Sequence, residues 1–273
     1  MLCRLFVFVA EMKQITSKEN AIYRDALKLT RKKYRDASGL FLLEGIKPLR
    51  DAADMGIRPE RVFIDEAKAD VLTGQENWLA KSGFDTCGLT GDLFGRLSDT
   101  EHSQGVVSIV AKPEYGPDEL KEKIATGNIC VLDRLQDPGN IGTIIRTAEA
   151  AGYGGIAVIK GTADIYSPKV VRAAAGSLLR MPAVHFETAG SAAELLRGLG
   201  KKITVTCLED ATDYLDADLS QDIALVIGNE GQGVSREFMD LADLKVKIPM
   251  KGQIESLNAA VAAGILMYQA GRR

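Results

Sequence analysis

The chain has 273 residues, 46% hydrophobic and 26% charged, so it can bury one good core and reads as a soluble protein of two domains. Its four cysteines (Cys3, Cys87, Cys130, Cys207) lie far apart with no C-x-x-C spacing, and its two histidines are His102 and His185. That usage argues for reduced thiols in the cytoplasm and against a disulfide framework, a metal site or a Ser-His-Asp hydrolase.

The net charge of −3 is unevenly spread. From Lys13 to Arg35 eight basic residues accompany two acids, a local charge of +6 that leaves −9 on the remainder. A solvated helix face and a contact with a polyanion both account for such a run.

In chain order, Leu5 to Ala10 is an apolar run too short for a membrane span or a signal-peptide core, so neither membrane association nor export is expected. Met12 opens a more ordinary polar start and is the expected natural initiator. The spacing then predicts an amphipathic helix over Glu19 to Tyr34, with Ile22, Ala26 and Leu29 on one side. A strand from Leu40, helical spacing from Ile46 to Met55 and a strand at Arg61 to Asp65 follow. The alternation continues through Trp78 to Ser82 and Gly91 to Leu97 and ends in Gly105 to Val110. This gives a tail and basic helix at 1–36, a small α/β domain at 37–111, and a linker at 112–126 where Pro113, Gly116 and Pro117 break the pattern.

The second domain, 127–273, alternates strands with helices. Strands are predicted at Ile129 to Leu132, Gly155 to Ile159, Met181 to Val184, Ile203 to Cys207, Ile223 to Ile227 and Lys245 to Ile248. Helices are predicted at Ile141 to Ala151, Pro168 to Ala175, Ser191 to Leu199 and Ser235 to Ala242. That rhythm means a parallel sheet covered on both faces. The alanine-rich final helix, Leu257 to Gln269, should pack closely against a neighbour, either its own core or another subunit.

The strand Ile223 to Ile227 stops in Gly228-Asn229-Glu230-Gly231-Gln232-Gly233. Glycines there let the main chain turn sharply and let a ligand approach it, which marks a small-molecule pocket at the carboxyl edge of the sheet. A turn without a ligand is the plain alternative. A dinucleotide fingerprint is the other, but its order is G-x-G-x-x-G and a ribose-binding acid should follow about twenty residues on, where this chain has Pro249 instead. Two further polar clusters share the domain. One is Asp137 to Arg146, a strand-to-helix junction with Asn140 near the helix start. The other is Ile254 to Asn258, where Ser256 is placed to cap the final helix and Asn258 lies in its first turn.

These clusters together resemble the SpoU family of RNA ribose 2'-O-methyltransferases, in the knotted SPOUT superfamily. The motifs stand in order as D-P-G-N-I-G-x-x-x-R at Asp137 to Arg146, I-G-x-E-x-x-G at Ile227 to Gly233 running on to Ile248-Pro249-Met250, and S-L-N at Ser256 to Asn258. Arg35 to Gly45, with Phe41-Leu42-Leu43-Glu44-Gly45, and Gln104-Gly105-Val106 are similar to the family's RNA substrate-binding domain.

The resemblance implies an α/β fold whose C-terminal parallel-sheet domain holds a deep trefoil knot, preceded by the small α/β RNA substrate-binding domain. It implies S-adenosylmethionine bound by Ile227, Gly228, Asn229, Gly231, Gly233, Ile248, Met250, Ser256 and Leu257, with no metal. It places Arg146, Asn140, Glu230, Ser256 and Asn258 in the catalytic centre of a homodimer that methylates a ribose 2'-hydroxyl, in ribosomal rather than transfer RNA. Lys28, Arg31, Lys32, Lys33 and Arg35 become the arm that grips the RNA backbone. Two other readings compete: a noncatalytic RNA-binding or ribosome-assembly protein that keeps the fold, and, more remotely, a dinucleotide-dependent oxidoreductase.

Overall fold

The computed structural model describes residues 12–68, 78–98, 100, 103–115, 117–208, 210–220 and 222–270. The apolar run Leu5 to Ala10 lies outside them. The chain divides into two compact units, one of residues 1–112 with 166–172 and one of 113–165 with 173–273.

In the first unit, β1 (Lys13–Ile15) is followed by α1 (Ala21–Lys28), α2 (Lys32–Ser38), β2 (Leu40–Glu44), α3 (Ile46–Asp54) and β3 (Arg61–Asp65). After α4 (Trp78–Lys81) come β4 (Thr86–Leu89), α5 (Gly91–Leu97) and β5 (Val106–Ala111). The sheet runs β1-β4-β3-β5-β2, with β5 antiparallel to both its neighbours. The single helix expected over Glu19 to Tyr34 is two. Asn20 caps α1 by accepting from the amides of Ile22 and Tyr23, and the helix ends where the Thr30 hydroxyl donates to the Leu27 carbonyl at 2.8 Å. The first of them, α1, is not a detached arm, because Tyr23, Ala26 and the capping Leu29 are buried in one core with Leu42, Phe63 and Leu93.

The expected linker is largely ordered as α6 (Pro117–Ala125). The second unit continues with β6 (Ile129–Leu132), α7 (Pro138–Ala150), β7 (Gly155–Ile159), α8 (Pro168–Ala174, partly in the first unit) and α9 (Ser177–Arg180). It closes with β8 (Ala183–Phe186), α10 (Ala189–Gly198), β9 (Lys202–Thr206), β10 (Thr212–Asp213), β11 (Ile223–Ile227), α11 (Arg236–Asp240), β12 (Leu244–Lys247) and α12 (Ala259–Ala270). The seven strands run β10-β12-β9-β11-β6-β7-β8, and every pairing is parallel. The central strands β6, β7 and β11 are buried at every position, as apolar strands covered on both faces must be. Ala192, Ala193 and Leu196 of α10 and Phe238 of α11 share a core with β6, β9 and β11. Elsewhere in the unit α7 packs on α12, where Gly264 admits the Thr147 methyl to 3.7 Å from the place a Cβ would take. Among the described residues no helix is long and apolar enough to cross a membrane.

Candidate active site and cofactor cavity

Because the strands are parallel, their carboxyl ends meet on one edge, and β9, β11 and β12 stop there around a cavity of about 610 Å³. That size is within the roughly 300–1,000 Å³ typical of small-molecule sites. Ile227, Gly228, Asn229, Gly231, Gly233, Ile248, Met250, Ser256 and Leu257, the nine expected cofactor residues, all line it. So do Thr206 at the end of β9 with Cys207 and Leu208 just beyond it, and Met239, Ala262 and Leu266 from the two nearby helices, none of which was expected at the cofactor site. The usable signal was geometric: a pocket at the end of β11 must also touch its neighbours in the sheet.

The glycine loop is shaped by its own backbone. Asn229 and Gly233 exchange two main-chain hydrogen bonds, of 3.0 and 2.9 Å, with Gly233 at φ 69°. The Asn229 side chain accepts from the amides of Gly231 and Gln232 at 3.0 Å and donates to the Arg134 carbonyl at 2.9 Å. A Cβ on Gly228 would lie 2.2 Å from both the Gly233 carbonyl carbon and the Val234 nitrogen. No side chain fits there.

At the rim, Glu230 ties the first and second motifs together. Its Oε2 accepts from the Gln136 amide at 3.0 Å, and its Oε1 accepts from the Asp137 amide at 2.9 Å and from Asn140 Nδ2 at 3.2 Å. Burial pushes this carboxyl up, but the amides of Asp137 and Gln136 and the Asn140 side chain outweigh it, holding it below the ordinary carboxylate value. Asn140 Oδ1 accepts from Asn258 Nδ2 at 2.9 Å, which brings in the third motif. The amide orientations are fixed by chemistry, since turning Asn140 over would set oxygen against Glu230 and nitrogen against Asn258 Nδ2. Asp137 caps α7 by accepting from the Asn140 amide at 2.8 Å, so the helix start and the network share one anchor.

Two expectations are corrected. Asn258, not Ser256, caps α12: its Oδ1 accepts from the amides of Ala260 and Val261 at 2.9 and 3.3 Å, while Ser256 lies before the helix on the cavity wall. Arg35 is not available to RNA, because it is only 2% exposed and donates to the Leu29 carbonyl at 2.7 Å, closing the turn between α1 and α2. The other members of the basic run are exposed. Lys28 is already paired with Asp25 at 2.7 Å, whereas the side chains of Arg31, Lys32 and Lys33 have no hydrogen-bond partner among the described residues. Arg146 stands exposed on α7, six residues beyond Asn140, or about 9 Å of helical rise. Its side chain neither joins the network nor lines the cavity, and it has no hydrogen-bond partner among the described residues.

The sequence reading also missed Asp133, a carboxylate 1% exposed at the end of β6, whose Oδ2 accepts from the Ser235 amide at 2.6 Å. An acid directly after an apolar strand was the available sign.

Comparison with known proteins places these features in a group. Residues 127–268 match the SpoU rRNA Methylase family, and residues 20–108 match an MRM3-like substrate binding domain. The 23S rRNA (guanosine(2553)-2'-O)-methyltransferase RlmP of Bacillus subtilis is 36% identical over 94% of this chain and 98% of its own length. The crystal structure of an AdoMet-bound rRNA methyltransferase from Sinorhizobium meliloti superposes with a TM-score of 0.81 at 32% identity, covering 96% of this chain and 98% of that one. The SpoU methyltransferase AviRb from Streptomyces viridochromogenes in complex with AdoMet gives a TM-score of 0.77 at 32% identity, over 93% and 98% of the two chains.

Proposed function

The chain belongs to the SpoU rRNA methylase family, and from that membership we infer that it transfers a methyl group from S-adenosylmethionine to a ribose 2'-hydroxyl of ribosomal RNA. The observation that carries the reading is the hydrogen-bonded series Glu230, Asn140, Asn258, which joins all three motifs at the edge of the sheet where the cavity opens. Large-subunit RNA is the substrate class, after the Bacillus subtilis relative that resembles the chain over nearly its whole length.

The cavity suits the cofactor. Ile227, Ile248, Leu257 and Leu266 offer apolar walls for an adenine, and the main chain of Gly228 to Gly233 offers amides and carbonyls that a Cβ at Gly228 would obstruct. When bound, S-adenosylmethionine supplies an electrophilic methyl carbon on its sulfonium. The residues of the chain must then align the attacking oxygen and help remove its proton.

Glu230 holds rather than reacts, since its oxygens already accept three N–H bonds and its carboxyl is a weaker base than usual. Asp137 and Asn258 cap the two helix starts at the site, and the Asn140 side chain links Glu230 to Asn258. Arg146, uncommitted and exposed, acts on the ribose and its adjoining phosphate. Deprotonating a guanidinium near neutral pH is costly, whereas a cation that orients the phosphate and stabilises the developing alkoxide avoids that cost. The first unit contributes Arg31, Lys32 and Lys33 as backbone contacts, with Lys28 in a lesser part. The same reading includes the trefoil knot, a homodimer and a cytoplasmic location.

The test is transfer of labelled methyl from S-adenosylmethionine to large ribosomal, small ribosomal and transfer RNA pools, with Arg146→Ala alongside. Label recovered as a 2'-O-methyl nucleotide in the large ribosomal pool, and absent with the variant, is expected. Cofactor binding without transfer to any pool would favour the noncatalytic assembly protein instead.

A further inference from the structure

We propose that Arg134 is a substrate-positioning residue that holds an RNA phosphate beside the reacting ribose; the proposal rests on the methyl-transfer reading above. Arg134 has φ 58°, in the left-handed region that residues with a side chain disfavour and glycine adopts freely. An arginine placed where glycine would be easier needs a reason, and its seat supplies one.

The side chain is built in from several sides. Its Nε donates to Asp133 Oδ1 at 3.2 Å, and Asp133 is itself buried and fixed through its other oxygen by the Ser235 amide. Gly161, at φ 97°, leaves room for the stem, because a Cβ there would lie 3.2 Å from Arg134 Cγ. The Arg134 amide donates to Thr162 Oγ1 at 3.0 Å, and its carbonyl accepts from Asn229 Nδ2 at 2.9 Å and Gln136 Nε2 at 3.1 Å. Thus the inner nitrogen of the guanidinium is committed, while the two outer nitrogens have no partner among the described residues. A guanidinium held by Nε presents its outer pair as a planar fork, the geometry that suits two phosphate oxygens.

Its position selects the ligand. The main chain of Arg134 is bonded to Asn229 of the glycine loop, and Gln136, two residues on, donates to Glu230, yet Arg134 does not line the cofactor cavity. The cation therefore serves the other reactant. Since methyl transfer to ribose requires the neighbouring backbone to be held still, a phosphate flanking the target nucleotide is the group it takes.

A purely structural arginine that only neutralises Asp133 is the alternative, and the assay separates the two. A 23S rRNA transcript is bound on filters over a series of salt concentrations by the full chain, Arg134→Gln and Arg134→Lys, with labelled-methyl transfer to the same transcript. Arg134→Gln is expected to weaken RNA binding about tenfold and to lower the slope of log affinity against log salt by about 0.7–0.9. The KM for RNA should rise while kcat stays within about threefold and cofactor affinity is unchanged, and Arg134→Lys should keep the salt slope. A lower melting temperature in Arg134→Gln with RNA affinity and salt slope unchanged would overturn the proposal. So would weakened cofactor binding at an unchanged salt slope. Wild-type protein that binds the transcript without methylating it would refute the substrate reading instead, and the comparison of salt slopes would still decide the role of Arg134.

Discussion

Replacing Glu230 by glutamine distinguishes a holding carboxylate from a reacting one. Glutamine keeps an oxygen for the Asp137 amide and Asn140 Nδ2, but its new NH₂ faces the Gln136 N–H, bonded at 3.0 Å in the native chain. One charge-assisted bond is lost at an exposed rim where water can substitute, which amounts to about 1–2 kcal/mol. If the clamp works by placing Asn140, that loss translates into roughly a 5–30-fold fall in single-turnover methyl transfer. Removing a general base would cost up to about 10⁴-fold. The assay is single-turnover transfer of labelled methyl at saturating cofactor, with thermal unfolding as the control. A fall beyond about 1,000-fold in a variant that unfolds normally would refute the holding role. The pH dependence gives a second check. Because Glu230 is held below 4.5, the stability it lends is complete above that unfolded value and is lost as pH falls through the lower folded one. Glu230→Gln should remove that acid-side component and leave the neutral-pH behaviour parallel to wild type.

Three other substitutions test separate parts of the structure. Arg146→Lys should bind cofactor normally and lose most turnover, read by calorimetry and methyl transfer, since an ammonium lacks the planar fork; near-normal turnover would show that guanidinium geometry is not the reason. Gly228→Ala should abolish cofactor binding by calorimetry, because its Cβ would meet main-chain atoms at 2.2 Å, and native affinity would contradict the shape of the loop. Replacing Arg31, Lys32 and Lys33 together by alanine should lower the RNA salt slope by about 2. It should also stabilise the first unit slightly, because cations at the start of α2 oppose the helix dipole and no acid offsets them in the first turn. Weaker RNA binding and a higher melting temperature together would separate a functional run from an ordinary solvated face.

Much of the second unit was legible because burial on both faces leaves a continuous apolar run. Ile129 to Leu132, Gly155 to Ile159 and Ile223 to Ile227 are strands over the predicted residues for that reason. Strand β8 is an edge, its side chains only partly buried, and the reading began it at Met181 although Pro182 has no N–H to give a ladder. Strand β4 escaped notice because Gly88 interrupts its pattern. That glycine is a packing requirement, since a Cβ would lie 2.1 Å from the Gln14 side-chain oxygen across the β1–β4 pair.

The charge run shows where sequence alone stops. Arg35 and Lys33 are two residues apart in one short helix, yet one is sealed against the Leu29 carbonyl and the other faces water. Counting cations could not part them, because the turn at Leu29 to Arg31 decides which side of α2 meets the core. The same limit hid Asp133 and Arg134, whose partners Ser235 and Asn229 lie 102 and 95 residues further along the chain. The three motifs were legible for the opposite reason. Glu230, Asn140 and Asn258 need both a donor and acceptors at fixed places, and few side chains other than carboxylate and amide can meet those demands. Exchanging Asn140 for aspartate would set a carboxylate against Glu230, and exchanging it for alanine would leave Asn258 Nδ2 without its acceptor. A contact that tolerates so few residue types leaves a mark in the sequence, whereas a cation whose burial is set by a distant turn does not.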